Sequence, residues 1–214
     1  MVNDGQPYSR QAGTITANNQ LHERPAVSSP FLEVTRTELD GVLILKPRRF
    51  GDQRGWFCET YNQERLKEAG IDLVFVQDNQ SFSAEINTLR GLHFQAPPLA
   101  QDKLVRVLSG TILDVAVDLR KASPTFGQHL SVELTAENGL QLLVPKGFAH
   151  GFVTRAANTT VFYKVTAPYA PDLDKGLAFD DPSLAIDWGV TRETAVLSDK
   201  DEIQPSLSEL PDVF

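Results

Sequence analysis

A chain of 214 residues with 41% hydrophobic residues can bury a sizeable core, which excludes global disorder and fits one large domain or two small ones. A net charge of -8 argues against a surface that coats nucleic acid, whose affinity comes from Lys and Arg on phosphates. A few local arginines could still grip a phosphorylated small molecule.

Residues 1–38 are rich in Asn, Gln, Ser, Thr, Pro and Gly and show no sustained period. They are expected to form a flexible tail, with an edge strand near Phe31-Leu32-Glu33-Val34. The start of the chain has neither a basic run nor an apolar core, so a secretory signal is not expected. Residues 39–214 are expected to form one domain. Its first strand is residues 41–46, ended by Pro47. Residues 50–55 read as a turn with two glycines, and residues 56–61 alternate as a strand. Asn62 can cap a short helix that starts with Glu64 in its first turn and ends at Gly70.

After the helix, strand signals recur at residues 73–77, 88–95, 103–108, 111–119, 130–134, 141–144 and 161–165. Ser109-Gly110 sits where a tight hairpin would turn. In the 111–119 segment, Asp114 and Asp118 share a face with Ile112 and Ala116. That face is therefore solvent or the lining of a polar cavity. Many short strands punctuated by Gly, Pro and Asn indicate an all-β sandwich or barrel. Residues 178–188 are turn-rich, and Leu197-Ser-Asp-Lys-Asp201 has the composition of solvated surface.

No run of about 18 apolar residues occurs, so no membrane span is expected. The single cysteine, Cys58, permits no intrachain disulfide, fits a reducing cytoplasm and reads as a packed thiol. Neither a G-x-S-x-G nor a glycine-rich phosphate loop is present. His93 and Lys103 are ten residues apart on apolar strands, separated by the loop Ala96-Pro97-Pro98-Leu99-Ala100. As strands, they place His93 with Gln95 on one face and Lys103 with Val105 and Val107 on another. The pair could be a base beside a fixed cation in one cleft, or a half-buried histidine and a surface lysine. His129 has no partner nearby and reads as surface.

Pro145-Lys-Gly-Phe-Ala-His150 resembles the second half of a cupin motif, yet the H-x-H of a cupin metal site is missing. With only four histidines, no metal site is expected.

A wider set of motifs resembles the dTDP-4-dehydrorhamnose 3,5-epimerase family. Its carriers include Asp52-x-Arg54-Gly55-x-Phe57-x-Glu59, Phe75-Val-Gln77-Asp-Asn79-x-Ser81, Leu89-Arg-Gly-Leu-His93-Phe-Gln95, and Gln101-x-Lys103-Leu-Val-Arg106. Further along are Asp114-Val-Ala-Val-Asp118, Pro145-x-Gly-Phe-Ala-His-Gly-Phe152, Tyr163-Lys164 with Tyr169, and Leu197-Ser-x-Lys-Asp201. They run in the family's order over residues 41–203. Segment 178–182 departs from the family's Trp-Asn-Asp pattern.

The resemblance implies a cupin-like jelly-roll barrel, acting without metal or cofactor on dTDP-4-dehydro-6-deoxy-D-glucose. It implies epimerisation at C3 and C5 to dTDP-4-dehydro-L-rhamnose, in a cytoplasmic homodimer whose N-terminal strand crosses to the partner. The 4-keto group acidifies both hydrogens, so inversion needs a base, an enolate stabiliser and an acid. By resemblance His93 is the base, and a histidine of ordinary pKa near 6.5 suits that task. Asp201 is its orienting carboxylate, Lys103 the cation near O4, and Tyr163 the opposite acid. Arg54, Phe57, Glu59, Gln77, Asn79, Arg90, Asp114, His150 and Tyr169 are implied substrate contacts, with Tyr169 an aromatic stacking partner. Alternative readings are a single-centre epimerase or ketoisomerase on a related sugar, a non-catalytic sugar-nucleotide-binding barrel, and a metal-dependent cupin oxygenase.

Overall fold

The computed structural model describes residues 15–16 and 27–214. Two antiparallel-rich sheets face each other. One is six-stranded, in the order β1 (Ile15–Thr16), β11 (His129–Thr135), β10 (Thr111–Asp118), β13 (Phe148–Thr154), β8 (Leu89–Gln95) and β15 (Asp174–Gly176). The other is seven-stranded, in the order β2 (Val27–Ser28), β3 (Leu32–Arg36), β4 (Leu43–Pro47), β12 (Gln141–Val144), β9 (Lys103–Ser109), β14 (Thr159–Val165) and β7 (Gln77–Ser83). A separate hairpin pairs β5 (Arg49–Asp52) with β6 (Gly55–Cys58). The fold is all-β and jelly-roll-like, and no helix among the described residues is long and apolar enough to cross a membrane.

Alternation along each strand divides the apolar residues between faces. Ile112 and Ala116 of β10, Phe148 and Phe152 of β13, Val105 and Val107 of β9, and Val161 of β14 fill the space between the sheets. The outer face of the first sheet carries Leu89, Leu92, Phe94, Val115 and Val117. The C-terminal segment covers it with Leu177, Phe179, Leu184 and Trp188. Trp188 Nε1 donates to Phe179 O at 2.7 Å, which satisfies the one polar atom of a buried indole. Each such buried side chain contributes about 1.5–3 kcal/mol. That packing draws the chain end back over the sheet. The helix α1 (Gln63–Glu68) caps on Asn62, whose Oδ1 accepts from Arg65 N, and buries Leu66 against Leu104 and Leu143 on the outside of the second sheet.

The strand expected near residues 31–34 is β3, flanked by the short β2 and by β4, because Leu32 and Val34 alternate with polar residues and bury against β4. Several expectations change. Residues 1–14 and 17–26 of the expected tail lie outside the described residues. The strand expected at 73–77 lies at Gln77–Ser83 instead. Its inward residues Gln77, Asn79, Ser81 and Ser83 are polar, so an apolar pattern cannot reveal it. His129 is buried rather than on the surface, because the outer side of β11 is covered. Burial lowers its pKa, against a hydrogen bond with the Leu184 backbone that raises it.

Candidate active site

Both sheets contribute to one polar opening in the sandwich. Two adjoining cavities, of about 250 and about 220 Å³, share His93, Lys103 and Tyr163 as lining. Gln77, Asn79, Gln95, Gln101, Tyr169 and Asp174 line the first. Ser81, Arg90, His150, Phe152, Ser198 and Asp201 line the second. His93 comes from the first sheet, Lys103 and Tyr163 from the second, so base and acid candidates stand on facing walls.

A bulge in β8 arranges the His93 wall. On β13, His150 pairs with His93 and Phe152 pairs with Arg90, so β8 holds one residue more than its partner over this stretch. In a regular strand, positions 90 and 93 would face opposite sides; the extra residue lets both line the cavity. Gly91 makes this possible. Its φ is +122°, and a Cβ there would lie 2.6 Å from Gly151 Cα and 2.8 Å from His150 O.

His93 Nε2 bonds Asp201 Oδ1 at 2.5 Å. An ionised carboxylate only accepts, so the ring proton sits on Nε2 and Nδ1 is the basic atom. Asp201 lies in α2 (Asp199–Glu202) and is only 3% exposed. Ser198 caps that helix and donates Oγ–H to Asp201 Oδ2 at 2.9 Å. Burial disfavours the Asp201 anion, but hydrogen bonds from His93 and Ser198 outweigh it and hold the pKa below the usual carboxylate value. Contrary to the composition of residues 197–201, this segment is an inward wall, held there by the apolar packing of residues 177–188.

Behind His93, its cross-strand neighbour His150 makes a second dyad through Nε2 to Asp114 Oδ1 at 2.8 Å. Asp114 is fully buried and its Oδ2 has no hydrogen-bond partner among the described residues. The Asp114 face is thus the sandwich interior, where it borders the polar opening. At the other end of β10, Asp118 is closed off by Arg120, Ser123 and Thr125.

Lys103 shares its inner face with Val105 and Val107, and its Nζ donates to His93 O at 3.4 Å. Burial lowers its pKa from 10.5 to about 8, although the Asp174 and Asp114 charges pull it up. Burial raises the Tyr163 phenol above its usual value, with Arg90 opposing and Asp174 and Tyr169 adding to the rise.

Arg90 is held from β7, donating Nε to Ser83 Oγ at 3.2 Å and Nη2 to Phe82 O at 3.0 Å. Gln77 donates to Asn79 Oδ1 at 2.8 Å and accepts from Tyr169 N at 3.1 Å. Of the expected site residues, His93, Asp201, Lys103, Tyr163, Gln77, Asn79, Arg90, His150 and Tyr169 line this opening, and Asp114 backs it. Arg54, Phe57 and Glu59 do not. Arg54 and Phe57 stand on the β5–β6 hairpin, with the Arg54 side chain 84% exposed and bonded to Asp52. Glu59 pairs with Arg65 beside α1.

Sequence reasoning missed Asp174, Lys200 and Ser198. Asp174 Oδ2 accepts from Tyr169 OH at 3.1 Å and from Lys200 Nζ at 2.6 Å, joining two segments at the mouth. Nothing in the sequence places Asp174 beside Tyr169 and Lys200. Ser198 was findable, since Ser-x-x-Asp is a helix-capping pattern. Among the described residues no group of three or more His, Cys, Asp or Glu could hold a metal ion.

The family model described as dTDP-4-dehydrorhamnose 3,5-epimerase matches residues 36–209. A protein of that name from Sinorhizobium fredii is 53% identical over 173 residues, spanning 81% of this chain and 88% of the relative. A solved dTDP-4-dehydrorhamnose 3,5-epimerase from Bacillus anthracis, with TDP and PPi bound, is 52% identical with a TM-score of 0.80. That match covers 82% of this chain and 99% of the other. A Legionella pneumophila dTDP-6-deoxy-D-glucose-3,5-epimerase, in complex with dTDP-4-keto-L-rhamnose, is 42% identical, also with a TM-score of 0.80. It covers 84% and 95% of the two chains. The chain belongs to the dTDP-4-dehydrorhamnose 3,5-epimerase family.

Proposed function

We propose that the chain inverts C3 and C5 of dTDP-4-dehydro-6-deoxy-D-glucose, giving dTDP-4-dehydro-L-rhamnose. The observation that carries this reading is the facing arrangement of the His93–Asp201 pair and Tyr163, with Lys103 in the same opening.

In this reading His93 Nδ1 removes the proton on the carbon beside the C4 carbonyl. The C–H electrons move into an enolate whose negative charge gathers on O4. The Lys103 ammonium stabilises that oxygen, in a site where burial strengthens the interaction. Asp201 holds the His93 tautomer and stabilises the imidazolium that forms. Tyr163 then donates its O–H proton to the other face of the same carbon, inverting it. The tyrosinate regains a proton from solvent and His93 loses one, so each cycle is redox-neutral. The same relay serves the second carbon. Arg90, Gln77 and Asn79 bind the nucleotide diphosphate end, Tyr169 stacks on the base, and His150 with Asp114 contacts the sugar.

Arg54, Phe57 and Glu59 fit this function when a second copy of the chain supplies the opening they border. Their hairpin exposes Phe50, Trp56 and Phe57, an apolar patch of the kind a partner covers. The working unit is a homodimer, and the lone Cys58 thiol suits a cytoplasmic setting.

Proton NMR of the chelator-treated protein with the keto-sugar in deuterium oxide tests the reading. Deuterium at both C3 and C5, with signals of the L-configured product, supports it. Exchange at C3 alone assigns a single-centre epimerase. Retained binding without exchange at either carbon overturns it.

A further inference from the structure

The ring of Tyr169 sits at the mouth on a connection with no regular secondary structure, and it is 57% exposed. Its hydroxyl reaches Asp174 Oδ2 at 3.1 Å, and where the ring stands also depends on how its backbone is held. The backbone around it is held by side chains, not by a ladder. Asp102 Oδ2 accepts from Thr166 Oγ1 at 2.9 Å, Gln101 Nε2 donates to Ala167 O at 2.8 Å, and Gln77 Oε1 accepts from Tyr169 N at 3.1 Å.

Gln95 does more than any of these. Its Nε2 donates to Pro168 O at 3.0 Å, and its Oε1 accepts from Ala170 N at 2.8 Å. One planar amide therefore grips the residue before Tyr169 and the residue after it, which fixes the backbone of Tyr169 from both sides. The same Nε2 donates to Leu99 O at 2.5 Å, tying in the Ala96–Ala100 connection between β8 and β9. Gln95 is buried, and it lies on β8 two residues from His93 on the same inward face. Two strand residues span about 6.6 Å, so one rigid strand sets the separation between the base and the anchor of the ring.

We propose that Gln95 is a positioning residue that sets Tyr169 over the nucleotide end of the opening and so determines substrate affinity. This rests on the reading of Tyr169 as the base-stacking residue. Gln95 touches no reacting atom in that scheme. Its loss leaves the Pro168 and Leu99 carbonyls and the Ala170 N–H unpaired, which frees the connection.

A cycle of variants, Gln95→Met, Tyr169→Ala and the double substitution, separates this role from a general structural one. Two measurements are taken on each: steady-state turnover of the keto-sugar, and calorimetric binding of dTDP. Loss of one base–aromatic stack corresponds to roughly 5- to 150-fold in affinity, which bounds Tyr169→Ala. Gln95→Met is expected to raise KM and the dTDP Kd by about tenfold, with kcat changed by less than about twofold. In the Tyr169→Ala background, the Gln95 substitution should add less than about twofold. Independent, multiplying effects on Kd would overturn the proposal, as would a fall in kcat at unchanged KM.

If Gln95→Met does not fold, Gln95→Glu decides the question. Its carboxyl keeps an acceptor for Ala170 N–H, and when protonated it regains one donor for the carbonyls. Burial and two facing carbonyl oxygens raise the pKa of such an acid. Its affinity defect relative to wild type should therefore shrink from pH 8 to pH 6; a defect independent of pH overturns the proposal. Wild-type turnover reports separately on the proposed reaction. A wild type that binds dTDP without epimerising refutes that reaction, and Kd still decides the role of Gln95.

Discussion

Lys103→Met is expected to abolish turnover and, at neutral pH, to stabilise the fold. The Lys103 ammonium lies among Val105 and Val107 on the inner face of β9, with His93 O as an acceptor at 3.4 Å. Burial lowers its pKa from 10.5 to about 8, against the pull of the Asp174 and Asp114 charges. At about 1.4 kcal/mol per decade, that fall corresponds to about 3 kcal/mol of destabilisation by the protonated form. The folded protein binds this proton less tightly than the unfolded chain does. The destabilisation is therefore fully present below pH 8 and vanishes as pH rises through 10.5. Methionine has similar length and no charge, and forgoes only one long hydrogen bond. A net gain of about 2 kcal/mol at pH 7 raises Tm by roughly 4–8 °C in a chain of this size. Circular-dichroism melts of wild type and variant at pH 7 and pH 10, alongside turnover, read the effect. The reasoning fails if the variant melts at or below wild type at pH 7, or if its advantage persists undiminished at pH 10.

Three other outcomes follow from the same geometry. Asp201→Asn places an amide donor against His93 Nε2 and forces the proton to Nδ1, so kcat should fall by about 100-fold or more with KM nearly unchanged; a loss under tenfold in steady-state assays contradicts this. Gly91→Ala puts a Cβ 2.6 Å from Gly151 Cα at a φ of +122°, which should destabilise the protein by about 3 kcal/mol. An unchanged urea midpoint would show that β8 and β13 can part without loss. The Lys103 cation titrates at about 8 while burial keeps the Tyr163 phenol protonated beyond its usual range. Wild-type kcat/KM should thus fall about tenfold per pH unit above 8, and a flat profile to pH 9.5 would remove Lys103 from the oxyanion role.

The strands of the core were legible because their apolar residues alternate. Leu113, Val115 and Val117 of β10 face outward, and Ile112 and Ala116 inward, as a period of two requires. His93 and Lys103 stood out as a possible base and cation on two strands, but Tyr163 and the three roles were legible only by resemblance, since no local pattern says that β8 and β14 face each other. The strand Gln77–Ser83 escaped notice because its inward side is a polar site lining, so function removed the periodic signal there. The composition of residues 197–201 misled for the opposite reason, and only the resemblance placed Asp201 beside His93. Their charges read as solvated surface, yet Phe179, Leu184 and Trp188 anchor the segment and bring Asp201 inside. The bulge at Gly91 has a glycine as its only trace, and it changes which residues share the face of His93.

The central claim is a base and an acid on opposite walls acting on one carbon. Tyr163→Phe in deuterium oxide tests it most directly, because it removes the donor and leaves the His93–Asp201 pair intact. The account predicts that deuterium still enters the substrate at C3 or C5 while formation of the inverted product falls by about 100-fold or more. Inverted product at the wild-type rate would contradict it, because the proton would then reach the opposite face from a group other than Tyr163.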